Sequence, residues 1–209
     1  MFNKTTPLKA LCVLGLALLA ACGTPGGHER FAADVPTSAQ SSEERRNIAD
    51  LTAGILALGQ GIDPEEAARA ARVSYEYAAQ LTREYRITDP ALIHNIKVNK
   101  GTRPRGLCWH WAEDMEIRLR AENFQTLDLH RAIANYDNWL LEHSSTIISA
   151  KGASMYDGMV LDPWREGGEL TWKPVRADKR YNWTPRAQVF DWKRERGLLT
   201  TRYVQAAGG

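Results

Sequence analysis

The chain has 209 residues and a nearly even charge balance, 27 Lys and Arg against 25 Asp and Glu, for a formal charge of +2. Two of the positive charges, Lys4 and Lys9, lie in a stretch with no acid before Cys22, so the remainder is neutral. That balance argues against a nucleic-acid-binding protein, which would carry a strongly basic face. The length suits a single domain with a proper core.

Lys4 and Lys9 are followed by an apolar run, Ala10 to Ala21, that ends in Leu19-Ala20-Ala21-Cys22. A basic start, a short apolar stretch and small residues at its end are the parts of an export signal. The run falls short of the roughly 20 residues a membrane span needs. Leu-Ala-Ala-Cys resembles the lipobox of bacterial lipoproteins. That resemblance implies cleavage before Cys22, diacylglycerol on its sulfur, and a protein held to a membrane facing the periplasm. Gly23, where that family's inner-membrane members carry Asp, favours the outer membrane. The plain alternative is a secretory leader with a chance cysteine. Residues 1–21 are then the signal peptide and residues 22–40, rich in Gly, Pro, Ser and Ala, a flexible tether. Cys12 leaves with the leader and Cys22 takes the lipid, so Cys108 has no partner for a disulfide and a reactive thiol is worth weighing.

Residues 41–209 are expected to form one α+β domain, with N-terminal helices over 41–100, a core over 101–165 and a Trp-rich extension over 166–209. Ser41 with Glu44 reads as a capping box, and Ile48, Leu51, Ile55 and Leu58 follow at helical spacing before Gly59. Asp63-Pro64-Glu65-Glu66 opens a second helix that runs to about Tyr85, and Asp89-Pro90 a third that ends before Gly101. Leu107 to about Ala121 predicts a helix. Leu127 to Ala134, Glu142 to Ala150 and Gly158 to Trp164 predict strands. Helices followed by antiparallel strands make an α+β arrangement the natural one. In the extension, Trp172, Tyr181, Trp183 and Trp192 stand among many Arg and Lys. They are expected to be aromatic staples with a solvated charged rim, although a grip on acidic glycan or peptide is the other reading.

Gly106-Leu107-Cys108-Trp109-His110-Trp111-Ala112 is the most informative segment. In a helix, Cys108, Ala112, Met115 and Leu119 share one stripe, which places the cysteine at the helix N-terminus. Unsatisfied amides and the positive end of the dipole there favour a thiolate, the nucleophile that attacks a carbonyl. Among the histidines, His110 falls about 200° around the helix from Cys108 and should point away as a surface or packing residue. His130 shares a strand face with Asp128 and reads as solvated. His143 begins a strand, and the next strand carries Asp162, so antiparallel pairing could set that carboxylate against one ring nitrogen and leave the other for the thiol. Cys108 and His110 diverge and no second pair completes a tetrahedral set, so neither a metal nor a cofactor is expected.

Gly-Leu-Cys-Trp-His-Trp-Ala resembles the Gly-x-Cys-x-x-aromatic-Ala element of the transglutaminase-like superfamily of cysteine enzymes. The likeness spans roughly Arg105 to Trp164 and includes the order cysteine, histidine, then Asp-Pro, here Asp162-Pro163. It implies a papain-like core, a cysteine-bearing helix packed on an antiparallel sheet, and a catalytic triad of Cys108, His143 and Asp162. Peptidase, amidase or transamidase chemistry on a periplasmic protein or cell-wall peptide follows from the same likeness. Asn99, upstream of the cysteine loop, is the candidate for oxyanion support. Ser144, Ser145 and Thr146 stand where the family often has a bulky residue after its histidine. A second class remains open: a tethered binding or envelope-assembly lipoprotein that kept the fold and lost the chemistry, holding its partner with the Trp-rich extension and a groove near Trp109 and Trp111.

Overall fold

The computed structural model describes residues 38–138 and 140–199, and the side chains of residues 42–138 and 140–199. The signal-peptide expectation and lipidation at Cys22 lie outside the described residues, as does most of the expected tether.

Helix α1 spans Ser38–Leu56, so Ser41 lies inside the helix that it was expected to cap. The helix buries Leu51 and Ile55 completely. Helix α2, Pro64–Glu84, opens as its residues dictate. Asp63 accepts the amides of Glu65 (2.8 Å) and Glu66 (3.0 Å), and Pro64 sits where a helix has no use for an amide. Its buried face is mostly small, with Ala67, Ala70, Ala71 and Ala78 among its members, which lets its neighbours approach closely. Helix α3, Ala91–Asn99, buries His94 and leaves Leu92, Ile93 and Ile96 exposed. Helix α4, Cys108–Arg120, carries Ala112, Met115 and Leu119 inward.

The sheet is built from β1 (Leu127–Ala134), β2 (His143–Ala150), β3 (Met159–Glu166), β4 (Glu169–Pro174) and β5 (Trp183–Pro185), and helix α5 spans Arg186–Glu195. The spatial order is β4-β3-β2-β1-β5, and every pairing is antiparallel. Helices on an antiparallel sheet make the fold α+β. The predicted strands hold to within a residue or two. Strands β4 and β5 and helix α5, in contrast, come from the extension, where only staples were expected.

Alternation along the strands divides the core in two. Ile148, Met159 and Leu161 face Leu51, Ile55, Met115 and Leu119 on the helical side. Ala132, Ala134, Ile147 and Val160 face Met155, Val175 and Trp183 on the other. The C-terminal extension therefore supplies the second layer. His143 and Asp162 have the parity of Ile147 and Val160, so they belong to the face that the extension covers. Glu66 ties α2 to the sheet: its carboxylate accepts the amides of Gln125 (2.7 Å) and Thr126 (2.8 Å) and the Thr126 hydroxyl (2.6 Å), just before β1.

Candidate active site

The segment before Cys108 is pinned by its own neighbours. Gly106 has φ +120°, and a Cβ there would meet His94 Nε2 at 2.4 Å. His94 Nε2 donates to the Arg105 carbonyl at 2.9 Å. From the other side, His110 Nδ1 accepts the amides of Gly106 (3.2 Å) and Leu107 (3.1 Å), and Trp111 Nε1 donates to the Gly106 carbonyl at 3.1 Å. Three side chains thus fix the turn that starts α4 at Cys108.

One expectation is narrowed here and another corrected. Of the surface and packing roles expected for His110, it takes the packing one: it is buried and holds the first turn through its unprotonated nitrogen. Burial, with Arg105 acting in the same direction, lowers its pKa to about 4, so it stays neutral and its lone pair is occupied. Trp111 is 1 % exposed and meets Tyr85 edge-on at 4.8 Å, so it belongs to the core and lines no groove. Trp109 is half-buried, its ring tilted over His110 at 3.8 Å, and remains available to a ligand.

Cys108 is half-buried at the first position of α4, where amides lack intrahelical acceptors. Its sulfur lies 3.9 Å from the Glu142 carbonyl, next to His143. Glu142 in turn pairs with Lys193 of α5, which anchors the strand end that carries the histidine. His143 Nε2 is 2.6 Å from Asp162 Oδ2. A carboxylate only accepts, so Nε2 carries the proton and Nδ1 holds the lone pair of the neutral ring. Nδ1 is buried and has no hydrogen-bond partner among the described residues. Burial opposes a charge on His143, but Asp162, and after it the Cys108 sulfur, outweigh burial and push its pKa up to about 9. Asp162 shifts the opposite way: burial favours its neutral form, and His143 and Arg165 together overcome that and hold it ionised.

Aromatic rings enclose the imidazole. Trp164 and Tyr181 each lie 4.6 Å from it, centroid to centroid, and Trp183 lies at 5.4 Å. Trp164 Nε1 donates to Asn95 Oδ1 at 3.1 Å. Asn99, the expected oxyanion support, is exposed at the last position of α3, whereas Asn95, one turn earlier, reaches the wall of the site. His130 is half-buried against Ser149 Oγ at 2.8 Å, not fully solvated. Among the described residues, no group of three or more His, Cys, Asp or Glu side chains is arranged to hold a metal ion.

The structure therefore gathers Cys108, His143 and Asp162 from α4, β2 and β3, with only Cys108 partly open to solvent. Sequence reasoning missed the groups behind them. Arg165 and Asp178 continue the chain of charges from Asp162, and Tyr181 and Trp183 cover the imidazole where passive staples were expected. Their aromatic density was visible in the sequence, but nothing marked Asp178. No protein-family model, curated protein or solved structure matches this chain, so the reading of the site rests on its own geometry.

Proposed function

We propose that the protein is a thiol enzyme with a papain-like, transglutaminase-type core, lipid-anchored through Cys22 and acting on an amide bond of a periplasmic protein or cell-wall peptide. The observation that carries this reading is His143, bonded to Asp162 through Nε2 at 2.6 Å, with Nδ1 buried and uncommitted on a ring that interacts with the Cys108 sulfur. A thiol and base outside a tight hydrogen bond are compatible with this reading, because such bonds often tighten only with substrate.

In the proposed reaction the Cys108 proton already rests on His143 Nδ1, as the raised pKa of the imidazole favours, and the thiolate sulfur bonds to the carbonyl carbon while the C=O electron pair moves onto oxygen. The free amides at the start of α4, that of Cys108 included, would meet the oxyanion. Collapse breaks the C–N bond, the imidazolium proton leaves with the amine, and a thioester remains. Water or a second amine then attacks the thioester and releases the sulfur, with His143 taking and returning the proton. Asp162 holds the ring in one tautomer throughout. No cofactor enters this scheme.

The test is alkylation of the full-length chain in detergent with iodoacetamide near neutral pH, read at the Cys108 peptide by mass spectrometry. The proposal expects Cys108 to react at least about tenfold faster than a free thiol and His143→Ala to abolish the excess. Ordinary reactivity that His143→Ala leaves unchanged overturns the enzyme and favours the inactive binding lipoprotein, as would full rescue of a deletion strain by Cys108→Ala.

A further inference from the structure

Behind Asp162 the charges continue. Arg165 grips that carboxylate twice: its backbone amide donates to Oδ1 at 3.2 Å, and Nε donates to Oδ2 at 3.0 Å, the same oxygen that takes His143. The far end of the guanidinium meets Asp178 at 2.7 and 3.4 Å. Asp178 is fixed in turn by Trp183 Nε1 at 3.1 Å and by the Arg180 amide at 3.3 Å. The Arg165 side chain is only 4 % exposed, and its guanidinium lies 4.7 Å over Tyr181, the ring that also stacks on His143. A buried ion is expensive unless paired, and this one is paired at both ends.

Resting on the thiol-enzyme reading, we propose that Arg165 is a positioning residue, held by Asp178, that orients Asp162 toward His143 and sets the pH range in which the thiol reacts. The geometry gives two reasons. An Asp162 carboxylate fixed through both oxygens has one orientation in which Oδ2 faces Nε2. A guanidinium on that same oxygen also keeps Asp162 ionised when His143 is neutral, so the ring's proton stays on Nε2 and Nδ1 stays free for the thiol. Asp178 tempers the effect, since its negative charge cancels part of the field that Arg165 projects toward His143 and Cys108.

The charged and titratable groups around the pair define the expected sign. Asp162 bonds His143, Arg165 and Asp178 follow behind it, Tyr181 stacks on the ring with Arg180 over its far side, and Glu142, whose carbonyl faces the sulfur, pairs its carboxylate with Lys193. Removing the Arg165 charge makes the site more negative, so every group in it holds its proton more tightly. Removing the Asp178 charge does the reverse.

The test is the pH profile of Cys108 alkylation in the full-length protein. Arg165→Gln should move the profile up by about 1 pH unit, and Asp178→Asn should move it down by about half a unit. Arg165→Lys keeps the charge and loses the fork, so it should restore the profile's position with a lower plateau. Opposite displacements are the signature, because a merely structural role lowers the rate in both variants without moving either profile. Should Arg165→Gln fail to fold, the isosteric Asp178→Asn and the charge-keeping Arg165→Lys decide alone. Profiles that superimpose on the wild type, while His143→Ala still abolishes the enhanced reactivity, overturn this inference and leave the thiol enzyme standing. Ordinary reactivity in the wild type overturns the enzyme itself.

Discussion

The imidazole of His94 fills the space that a side chain on Gly106 would need, since a Cβ built there stands 2.4 Å from Nε2. With φ at +120°, the backbone also lies where L side chains are strained. Gly106→Ala must therefore move the His94 ring, twist the turn, or both. We expect a loss of about 2–4 kcal/mol in chemical denaturation. Because the turn starts the cysteine's helix, Cys108 alkylation should slow even where the variant is fully folded. Wild-type stability in Gly106→Ala would mean that the turn is not fixed as described.

His110 and His143 predict opposite pH limits for the same site. His110 has a lowered pKa, about 4 against an ordinary 6.5. The unfolded chain therefore takes up its proton first as pH falls, and the stability present above 6.5 is lost progressively down to about 4. The loss amounts to at most about 3 kcal/mol. His143 has a raised pKa, about 9 against 6.5. Its contribution is complete below 6.5 and is lost as pH rises toward 9. Denaturation across this range should show His110→Ala removing the acid-side slope and His143→Ala the alkaline-side slope. An unchanged slope in either variant contradicts the corresponding assignment.

Asp162→Asn tests the tautomer. An amide can donate as well as accept, so the substituted side chain no longer forces the proton onto Nε2, and Nδ1 loses its claim to the lone pair. Alkylation of Cys108 near neutral pH should fall by about tenfold or more, with the far-ultraviolet circular dichroism unchanged. Equal rates in the two proteins would remove Asp162 from the mechanism.

Much of this arrangement could be read in the residues before the structure, and the exceptions have physical causes. The apolar faces of α2 and α4 are legible because each buries a run of residues at helical spacing, α1 shows through Leu51 and Ile55 one turn apart, and β1 to β3 show because turn residues bound each of them. Strand β5 is three residues long, Trp183-Thr184-Pro185, too short for any period to register. Helix α5 buries only Val189 and Lys193, so it has no stripe to find. Cys108, His143 and Asp162 each sit at the start of an element or beside a proline, which marks them locally. Arg165 and Asp178 are 13 residues apart and meet only because the Gly167-Gly168 hairpin turns β4 back along β3. Gly167 and Gly168 both have positive φ (65° and 110°), as a two-residue hairpin loop requires, but the turn gives no hint of what it brings together. Burial is harder still to read: the sequence puts Trp109 and Trp111 in the same cluster, and only packing separates the half-open ring from the closed one.

That separation gives the last prediction. Trp111 is 1 % exposed, packs edge-on against Tyr85, and spends its indole N–H on the Gly106 carbonyl. Trp111→Ala therefore opens a cavity and frees a buried carbonyl at once, and should cost about 3–5 kcal/mol. Trp109 is half-buried over His110 with Arg105 6.0 Å from its ring, and no layer of the core depends on it. Trp109→Ala should cost about 1 kcal/mol or less in stability. If the ring borders the substrate path, the same variant should raise KM for a peptide substrate several-fold and leave kcat nearly unchanged. Comparing the two variants by denaturation separates core from rim: similar large losses in both would place Trp109 in the core with Trp111 and remove the remaining groove candidate.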